Sequence, residues 1–341
     1  MKPSSEMMGG GIKNLFMKNI IIIVPETAVP AGIVDPRYMF TAANDLMKSS
    51  GKPPVFNIQL AGLTKEVKLL DGHIIVNTDI LIQDAKRADL IIIPPLSGNM
   101  KSAVEINKDF IPWIVEQYKN GAEAASLCVG AFLLAATGLL KGVQCSTHWL
   151  YANEFRNMFP DVRLVDDKVV TDQNGLYTSG GATSLWNLLL YLVEKYTDRE
   201  TAILASKFFL LDIERRSQSS FIMFRGQKDH EDDTVKQAQE YIEQNFHGKI
   251  TVDELCNKFG VGRRTFERRF KKATRNTMIE YLQRVKIEAA KRELESGRKT
   301  VNEVMFNVGY TDTKAFRDVF KKITGVSPID YRNKYNKETA A

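Results

Sequence analysis

The 341-residue sequence predicts an α/β domain with a mostly parallel sheet, followed by a smaller all-α domain. Over the first two thirds, short β-branched runs alternate with helix-like stretches, a pattern typical of parallel sheets covered on both faces. The last third contains an internal repeat of helical segments. The whole chain has 47 basic and 41 acidic residues, whereas 23 basic and 14 acidic residues follow from Lys236 onward. We therefore expect a polyanion-binding module joined to a slightly acidic body.

The chain is expected to divide into five segments, whose outer bounds follow from the family resemblances given below. The α/β region is expected over residues 18–212, a polar, mixed-charge linker over 213–233 and the basic helical region over 234–335. Residues 1–17 are expected to be a disordered N-terminus and residues 336–341 a C-terminal tail.

The three cysteines, Cys128, Cys145 and Cys256, are too few and too scattered for a disulfide framework, which favours a reducing, cytoplasmic setting. No apolar run approaches the ~18 residues of a membrane helix. Neither a C-x-x-C pair nor a His/Cys cluster indicates a metal. We expect a cytoplasmic protein with no membrane contact, no metal and no cofactor.

The elements of the α/β region follow from local patterns. Short apolar runs predict buried strands, and longer amphipathic stretches predict helices. The predicted strands are residues 20–24, 55–60, 73–77, 89–94, 162–165 and 175–179. The predicted helices are residues 37–51, 101–121 and 183–196. The expected fold is flavodoxin-like, with helices on both faces of the sheet.

Cys128 lies between a strand-like run, AASL, and a helix-like run, VGAFLLAATGLL. A residue on that turn lies at the carboxyl end of the sheet, where open α/β folds bind ligands. The N-terminus of the following helix would also favour a thiolate. Spacing alone leaves three roles open: a nucleophile, a pocket residue or a buried core thiol.

The segment SLCVGAFLLAATGLLKGVQCSTHW resembles the nucleophile-elbow region of the PfpI-like, glutamine-amidotransferase-like superfamily. The later DQNGLYTSGGATSLWNLLLYLVEK is similar to that family's final strand, turn and helix. The likeness covers about residues 18–212. It implies that Cys128 is the elbow cysteine and His148 its histidine.

Three departures from that family's pattern bear on catalysis. Gly32 stands where the enzymes have an acidic residue, with Glu26 and Asp35 near but off register. In the PPLSGN turn, Pro95 replaces a glycine whose N–H can bind an oxyanion, and proline has no N–H to donate. No carboxylate lies two residues after His148. A Cys–His pair without these partners is a poor nucleophilic site.

We therefore expect a catalytically degenerate domain that retains a concave site and binds a small metabolite. The candidate pocket residues are Cys128, His148, Ser97, Gly98 and Gly32. Two alternatives stay open. One is a cysteine-dependent hydrolase or amidase fused to the basic region. The other is a regulator switched by oxidation of Cys128.

The last third contains two copies of one helical unit. FKKATRNTMIEY (270–281) recurs as FKKITGVSPIDY (320–331), and TVDEL (251–255) recurs as TVNEV (300–304). A glycine follows the first helix of each copy, so each copy predicts a helix, a tight turn and a second helix.

The side chains of each copy divide between core and surface. Thr251 and Thr300 are the expected N-caps of the first helices, and a glutamate three residues later completes each capping box. In each second helix, two phenylalanines four residues apart are expected to face the core. They are Phe266, Phe270, Phe316 and Phe320.

Residues 234–335 resemble the AraC/XylS-type DNA-binding domain, in which a long helix bridges two helix-turn-helix units. The bridge here is MIEYLQRVKIEAAKRELES (278–296), and GYTDTKAFRDVFKKITGVSPIDYR is similar to the family's signature. The resemblance implies double-stranded DNA as a partner.

In such a domain the second helix of each unit enters the major groove, so its first residues reach base edges. The remaining cations hold phosphates. Base contacts implied by the alignment are Arg264, Glu267, Arg268, Thr313, Lys314 and Arg317, with Asp318 a further position that can orient a neighbouring cation. The candidate phosphate contacts are Arg263, Lys271, Lys272, Lys321 and Lys322. Solvated basic faces are the alternative, which two matched units disfavour.

A PfpI-like domain followed by an AraC-type domain resembles a known subgroup of bacterial regulators. Characterised members respond to small nitrogenous metabolites such as arginine, carnitine or betaines. The resemblance implies a sequence-specific transcription regulator, an amine or amino-acid-like effector and a homodimer.

Overall fold

The computed structural model describes residues 17–213 and 217–336. The chain divides into two compact units after Arg216. The predicted disordered N-terminus and the predicted C-terminal tail lie outside the described residues, apart from Met17 and Asn336.

The first unit is an α/β fold. Its described strands are β1 (Lys18–Ile23), β2 (Phe56–Gly62), β3 (Glu66–Leu69), β4 (Ile74–Asn77), β5 (Ile80–Leu81), β6 (Leu90–Ile93), β7 (Glu123–Ser126), β8 (Gln144–Cys145), β9 (Arg163–Leu164), β10 (Val170–Gln173) and β11 (Leu176–Ser179). Its described helices are α1 (Ala31–Ser49), α2 (Met100–Ile106), α3 (Phe110–Lys119), α4 (Ala131–Ala136), α5 (Ala152–Met158), α6 (Ser184–Tyr196) and α7 (Arg199–Phe208).

The main sheet has the strand order β10-β11-β7-β6-β1-β2-β5. Its pairs are parallel except β10 with β11, so the sheet is mostly parallel with one antiparallel edge. Successive side chains of a strand point to opposite faces, and in β1 Ile20 and Ile22 enter one core while Ile21 and Ile23 enter the other. Residues of α1, α6 and α7 complete the first core, and residues of α2 to α5 complete the second. The predicted fold, a largely parallel sheet covered on both faces, is confirmed.

Two predicted strands lie outside the main sheet. Residues 73–77 contribute β4, which pairs with β3 in a separate hairpin, and residues 162–165 contribute β9, which pairs with β8. Ile74 and Ile75 are 38% and 52% exposed. The apolar run there therefore belongs to a surface hairpin, and the prediction of a buried sheet strand is wrong.

The predicted helix over 101–121 is instead two helices, because Asn107 interrupts it. The buried Asn107 side chain accepts the backbone N–H of Glu26 at 2.9 Å and donates to Thr27 Oγ1 at 2.9 Å. These bonds tie the break between α2 and α3 to the loop after β1. Apolar residues continue on both sides of the break, so the hydrophobic pattern does not reveal it.

The second unit contains the helices α8 (Asp233–Asn245), α9 (Val252–Phe259), α10 (Arg263–Thr274), α11 (Met278–Ser296), α12 (Val301–Asn307), α13 (Thr313–Thr324) and α14 (Pro328–Tyr335). The two helix-turn-helix units are α9–α10 and α12–α13, with α11 between them along the chain. Both predicted capping boxes are present, at Thr251 and at Thr300. The four predicted core phenylalanines are fully buried, which confirms that assignment: Phe266, Phe270, Phe316 and Phe320.

Most of the predicted linker packs on the second unit. Residues 217–232, which we call the strap, belong to that unit. Within it, the Phe224 ring lies against Tyr281 with centroids 5.1 Å apart. Polar composition predicts a linker here because the few apolar anchors follow no helical or strand period. Among the helices of the described residues, none is long and apolar enough to span a membrane.

Candidate ligand site and candidate nucleic-acid interface

Cys128 lies on a strained turn at the carboxyl end of β7. Its φ is +54°, a left-handed conformation that residues with a Cβ rarely adopt. A 3₁₀ turn, Cys128–Gly130, leads from it into α4. The backbone N–H of Cys128 donates to Ser179 Oγ at 3.1 Å, and Thr147 Oγ1 donates to the Cys128 carbonyl at 3.0 Å. Neighbouring strands thus hold the elbow turn that the sequence predicts.

Gly130 allows the elbow to rest directly on the end of β6. A Cβ atom at position 130 would lie 2.6 Å from the carbonyl oxygen of Ile93 and 2.5 Å from that of Pro94. Those distances leave no room for any side chain. The elbow is therefore seated against the loop that follows β6.

The Cys128 thiol is buried and not activated. Cys128 is only 6% exposed, and burial raises the pKa of its thiol to about 12. A hydrogen bond from the backbone N–H of Val129 lowers the pKa, but by less than burial raises it. Within residues 17–213, no hydrogen bond joins its sulfur to a carboxylate or to His148. The following helix does not produce the thiolate that its N-terminus would favour, because desolvation dominates. The thiol is protonated at neutral pH.

His148 is oriented by the backbone rather than by an acid. Its Nδ1 accepts the N–H of Leu150 at 3.1 Å and so caps the 3₁₀ turn Trp149–Tyr151. Burial lowers the pKa of the imidazole, which favours the neutral ring with its proton on Nε2. The segment carrying His148 reaches the elbow through its neighbour Thr147.

Gly32 is the position at which the family resemblance places an acid in the enzymes. Here it is in close contact with Pro95. A Cβ atom on residue 32 would lie 2.1 Å from Pro95 Cδ and 3.2 Å from Pro94 Cβ. Glu26 is exposed, and Asp35 lies on α1 with its pKa raised by burial. Neither of these carboxylates hydrogen-bonds to the Cys128 thiol in the described residues.

Ser97 ties the loop after β6 to the loop after β1. Its backbone N–H and its Oγ both donate to the carbonyl oxygen of Thr27, at 2.7 and 2.9 Å. The adjacent Gly98 is exposed and has a φ of +83°. The donors of Ser97 are thus already used, so they do not replace the N–H that Pro95 lacks. The structure gathers the predicted pocket segments at the carboxyl edge of the sheet, but within residues 17–213 no carboxylate or imidazole hydrogen-bonds to the thiol.

Sequence reasoning did not single out two serines at this edge. Ser179 accepts the Cys128 N–H, and Ser126 Oγ is buried with no hydrogen-bond partner among the described residues. Buried polar groups are nearly always paired. A serine at the carboxyl end of a predicted sheet strand, where open α/β folds bind ligands, is the signal that identifies both positions.

The predicted DNA-contacting side chains lie on the outer faces of α10 and α13. The glycine turns before these helices are left-handed, with φ of +63° at Gly260 and +77° at Gly309. Asp312 caps α13 by accepting the N–H of Ala315 at 2.6 Å, whereas α10 begins after Gly262 without a side-chain cap. All eleven predicted contact residues are exposed: Arg263, Arg264, Glu267, Arg268, Lys271, Lys272, Thr313, Lys314, Arg317, Lys321 and Lys322.

Arg263 differs from the other cations of this surface because it is paired. It donates to Glu267 Oε1 at 3.2 Å and to Asp253 Oδ1 at 3.0 Å, and these contacts raise the pKa of the guanidinium. The other nine cationic and polar candidates make no ion pair in residues 217–336. The two carboxylates neutralise part of the positive charge of Arg263, so it should attract a phosphate less strongly than the neighbouring cations do.

Glu280 at the start of α11 interacts electrostatically with a lysine from each recognition helix. Glu280 in the first turn of α11 accepts the backbone N–H of Thr277 at 2.8 Å, which lowers the pKa of its carboxyl group, and Lys322 and Lys271 lower it further. Lys271 ends α10 and Lys322 ends α13. The two basic surfaces are thus close enough for one carboxylate to interact with both.

Comparison with known families classifies both units. Residues 20–195, more than half of the chain, match the model described as the DJ-1/PfpI family. The chain belongs to the DJ-1/PfpI family. Residues 255–334 match the model of a helix-turn-helix domain.

This DJ-1/PfpI family member is similar to named regulators. The HTH-type transcriptional regulator GbdR of Pseudomonas aeruginosa is 24% identical over 258 residues, which cover 75% of this chain and 69% of that protein. The HTH-type transcriptional regulator ArgR of the same species is 25% identical over 216 residues, 63% of this chain and 65% of that protein. A crystal structure of a putative transcriptional regulator protein from Vibrio parahaemolyticus has the same fold over 56% of this chain and 98% of that one, with a TM-score of 0.51 and 21% identity. These matches support a DNA-binding transcriptional regulator with a PfpI-like domain and an AraC-type helix-turn-helix domain.

Proposed function

We propose that this DJ-1/PfpI family member is a sequence-specific transcription regulator whose first unit senses a small metabolite. The pair of matched recognition helices carries the proposal, because each presents unpaired cations outward from a buried phenylalanine core. Arg264 and Arg268 on α10, and Lys314 and Arg317 on α13, are the main candidates for reading base edges. Two such helices read adjacent major-groove segments about one turn (~34 Å) apart.

The lysines at the ends of α10 and α13 are the proposed phosphate ligands. Lys271, Lys272, Lys321 and Lys322 are exposed, and none is in an ion pair in residues 217–336. Each phosphate that they neutralise releases counterions, so affinity for DNA falls steeply as salt rises. Glu267 is the one proposed base-contacting acid on α10, and it suits a cytosine N4 donor.

The first unit, in this proposal, has lost its family's chemistry and kept the site as an effector pocket. A protonated thiol without a base, the Gly32–Pro95 contact and the engaged donors of Ser97 all argue against covalent catalysis. The proposed effector is an amine or an amino-acid-like metabolite, as the resemblance to regulators that respond to small nitrogenous metabolites implies. The proposed lining residues are Cys128, His148, Ser97, Gly98 and Gly32.

Homodimerisation is part of the proposal and is supported by an exposed apolar patch on α1 and α7. Val34, Tyr38 and Phe208 are all more than half exposed, and the Tyr38 and Phe208 rings are 6.3 Å apart. Contiguous apolar surface of this kind often marks an interface. Sedimentation analysis tests this: Tyr38→Glu should yield a monomer, whereas Phe306→Glu, at an exposed phenylalanine of α12, should not.

The deciding experiment is DNA binding by the purified full-length protein to its own upstream region. It is measured over a salt series, with and without a panel of amines and amino acids, and repeated with Cys128→Ala. The proposal predicts specific, salt-sensitive binding that one compound changes and that survives Cys128→Ala. Ligand dependence requires that the compound bind the DNA-competent and DNA-incompetent states with different affinity.

Two outcomes would favour the alternatives. Turnover of a compound that Cys128→Ala abolishes would indicate a cysteine-dependent hydrolase or amidase. DNA affinity that follows peroxide and loses that response in Cys128→Ala would indicate a redox switch. An absence of specific DNA binding under every condition would contradict the central proposal.

A further inference from the structure

We propose that the strap, residues 217–232, is a positioning segment that holds both helix-turn-helix units in one geometry for simultaneous DNA binding. The inference rests on the proposed function, since it concerns how two recognition helices act together. Along its length, the strap contacts the second helix-turn-helix unit, then α11, and then the first unit. The bridging helix α11 also contacts both helix-turn-helix units, so the strap is a second connection between them.

The strap begins against the second helix-turn-helix unit. Its 3₁₀ turn, Ser219–Phe221, lies beside the end of α13, where a Cβ atom on Gly325 would be 3.6 Å from Ser219 Cβ. The Phe221 ring meets Tyr335 of α14 edge to face, with centroids 6.3 Å apart, and the ammonium of Lys334 lies 4.6 Å from the Phe221 centroid. These contacts join the strap to α13 and α14.

A buried ion pair on α11 anchors the middle of the strap. Lys291 and Glu288 are paired at 3.0 Å with side chains only 3% and 10% exposed. The strap completes both partners: Lys291 Nζ donates to the carbonyl of Ile222 at 2.5 Å, and the N–H of Phe224 donates to Glu288 Oε2 at 3.0 Å. A buried ion pair is costly unless its remaining hydrogen-bonding capacity is satisfied. The strap backbone is therefore fixed to the bridging helix by charge-assisted bonds.

The strap then packs on the core of the first helix-turn-helix unit. Phe224 lies on Tyr281, and Gly226, with a φ of +69°, approaches so closely that a Cβ atom there would be 2.3 Å from Tyr281 Oη. Gln227 accepts hydrogen bonds from Gln239 Nε2 at 3.0 Å and from Asn276 Nδ2 at 3.2 Å. Glycine at 226 is required by both its conformation and this contact.

The end of the strap reaches a recognition helix directly. Asp232 accepts two hydrogen bonds from Arg269 of α10, at 2.6 and 2.8 Å, and also caps α8 through the N–H of Val235 at 3.2 Å. The Arg269 contact lowers the pKa of the Asp232 carboxyl group. Arg269 follows the base-contact candidate Arg268 in sequence, so the strap constrains the helix that carries that candidate.

These contacts give the strap a specific consequence for binding. When two sites on one molecule bind one DNA duplex, a rigid connection of the right length raises the effective concentration of the second site. Pre-organisation also avoids the entropy cost of ordering the units upon binding. Loosening the strap should therefore weaken binding to DNA that engages both units, and leave binding through one unit unchanged.

The test uses the full-length chain and a duplex that the wild-type protein selects from a random library. Two further duplexes have one recognised segment scrambled or one or two base pairs inserted between the segments. Gly226→Ala displaces the strap from Tyr281; Gly248→Ala is its matched control, because the nearest atom to a Cβ there is Asn245 O at 3.6 Å. Phe224→Ala is a second strap variant that keeps the backbone conformation. Its control is Met223→Ala, whose side chain is exposed.

We expect both strap variants to lose about tenfold in affinity for the intact duplex, to bind the scrambled duplex as the wild type does, and to tolerate the insertions better. The two controls should match the wild type on all three duplexes. Equal losses on intact and scrambled duplexes, or no loss on either, would overturn the positioning role. If the wild type selects no duplex at all, the proposed function itself fails, which is a separate and recognisable result.

Discussion

Gly32 and Pro95 are in such close contact that a Cβ atom on residue 32 would lie 2.1 Å from Pro95 Cδ. These are the two positions at which the elbow site departs most clearly from the pattern of related enzymes. Because they touch, the missing acid and the missing backbone donor form one structural change. A side chain at position 32 meets the Pro95 ring, so an acid there also requires the change at position 95.

Gly32→Glu should therefore destabilise the first unit. The new side chain meets the Pro95 ring, and overpacking of this kind costs about 1–3 kcal/mol. All three tryptophans of the chain, Trp113, Trp149 and Trp186, lie in the first unit, so urea unfolding followed by tryptophan fluorescence reports on it. Pro95→Gly serves as the single-site control, and the double variant should recover part of the loss. A Gly32→Glu variant as stable as the wild type would show that the contact can relax.

The Cys128 thiol should resist alkylation in the native protein. Its pKa is raised to about 12 by burial, so at pH 8 only about one thiol in ten thousand is a thiolate. Labelling with iodoacetamide, read by mass spectrometry, should be slow at pH 7–9 and rapid in urea. Cys145, whose pKa burial also raises to about 12, is the internal reference. Fast labelling of Cys128 but not of Cys145 in the native protein would favour the hypothesis that oxidation of Cys128 switches the regulator.

Arg268→Ala and Lys321→Ala should affect DNA binding in different ways. Arg268 is a proposed base contact, so its loss should cost about 1–3 kcal/mol on the selected duplex and relax discrimination at one base position. Lys321 is a proposed phosphate contact, so its loss should weaken binding to all duplexes and reduce the salt slope by about one. Fluorescence anisotropy over a salt series, with single-base variants of the duplex, separates the two effects. Identical behaviour of the two variants would contradict these assignments.

Arg263→Ala should reduce the salt slope less than Lys271→Ala does. Arg263 is held by Asp253 and Glu267, and a paired guanidinium contributes little net charge to a phosphate contact. Both residues lie on α10 and both are exposed, so Lys271→Ala is a matched comparison. Equal reductions in slope would mean that Arg263 leaves its carboxylate partners when DNA binds and contacts a phosphate, as the sequence predicts.

The sequence predicts much of the fold because each element has a local signal. The isoleucine run at 20–24 predicts β1, and the capping residues Thr251 and Thr300 predict two helix starts. The division of α2 from α3 is not predictable in this way, because it depends on Asn107 bonding to a loop about eighty residues away. Three of the four residues of the antiparallel edge strand β10 are polar, and its pairing with β11 is not visible in its pattern.

The same distinction applies to the candidate site: some of its features have a local sequence signal and others do not. Cys128, His148 and the recognition-helix cations are found by spacing and by resemblance. The Gly32–Pro95 contact, the pairing of Arg263 and the bonds of Ser97 to Thr27 are not, because each depends on the three-dimensional distance between separate segments. The sequence does not predict the packing of the strap for the same reason. Its partners Tyr281, Glu288 and Lys291 lie on α11, and three helices separate them from the strap along the chain.

The path of the strap also determines where the second unit can be separated from the rest of the chain. A fragment starting at residue 234, where composition places the boundary, would leave Lys291 without the Ile222 carbonyl, Arg269 without Asp232 and one face of Tyr281 uncovered. A fragment starting at Ser217 keeps all three contacts. For expression of a minimal DNA-binding fragment, or for exchange of sensory domains between regulators, the natural junction therefore precedes the strap, and grafts made after it should yield poorly folded chimaeras.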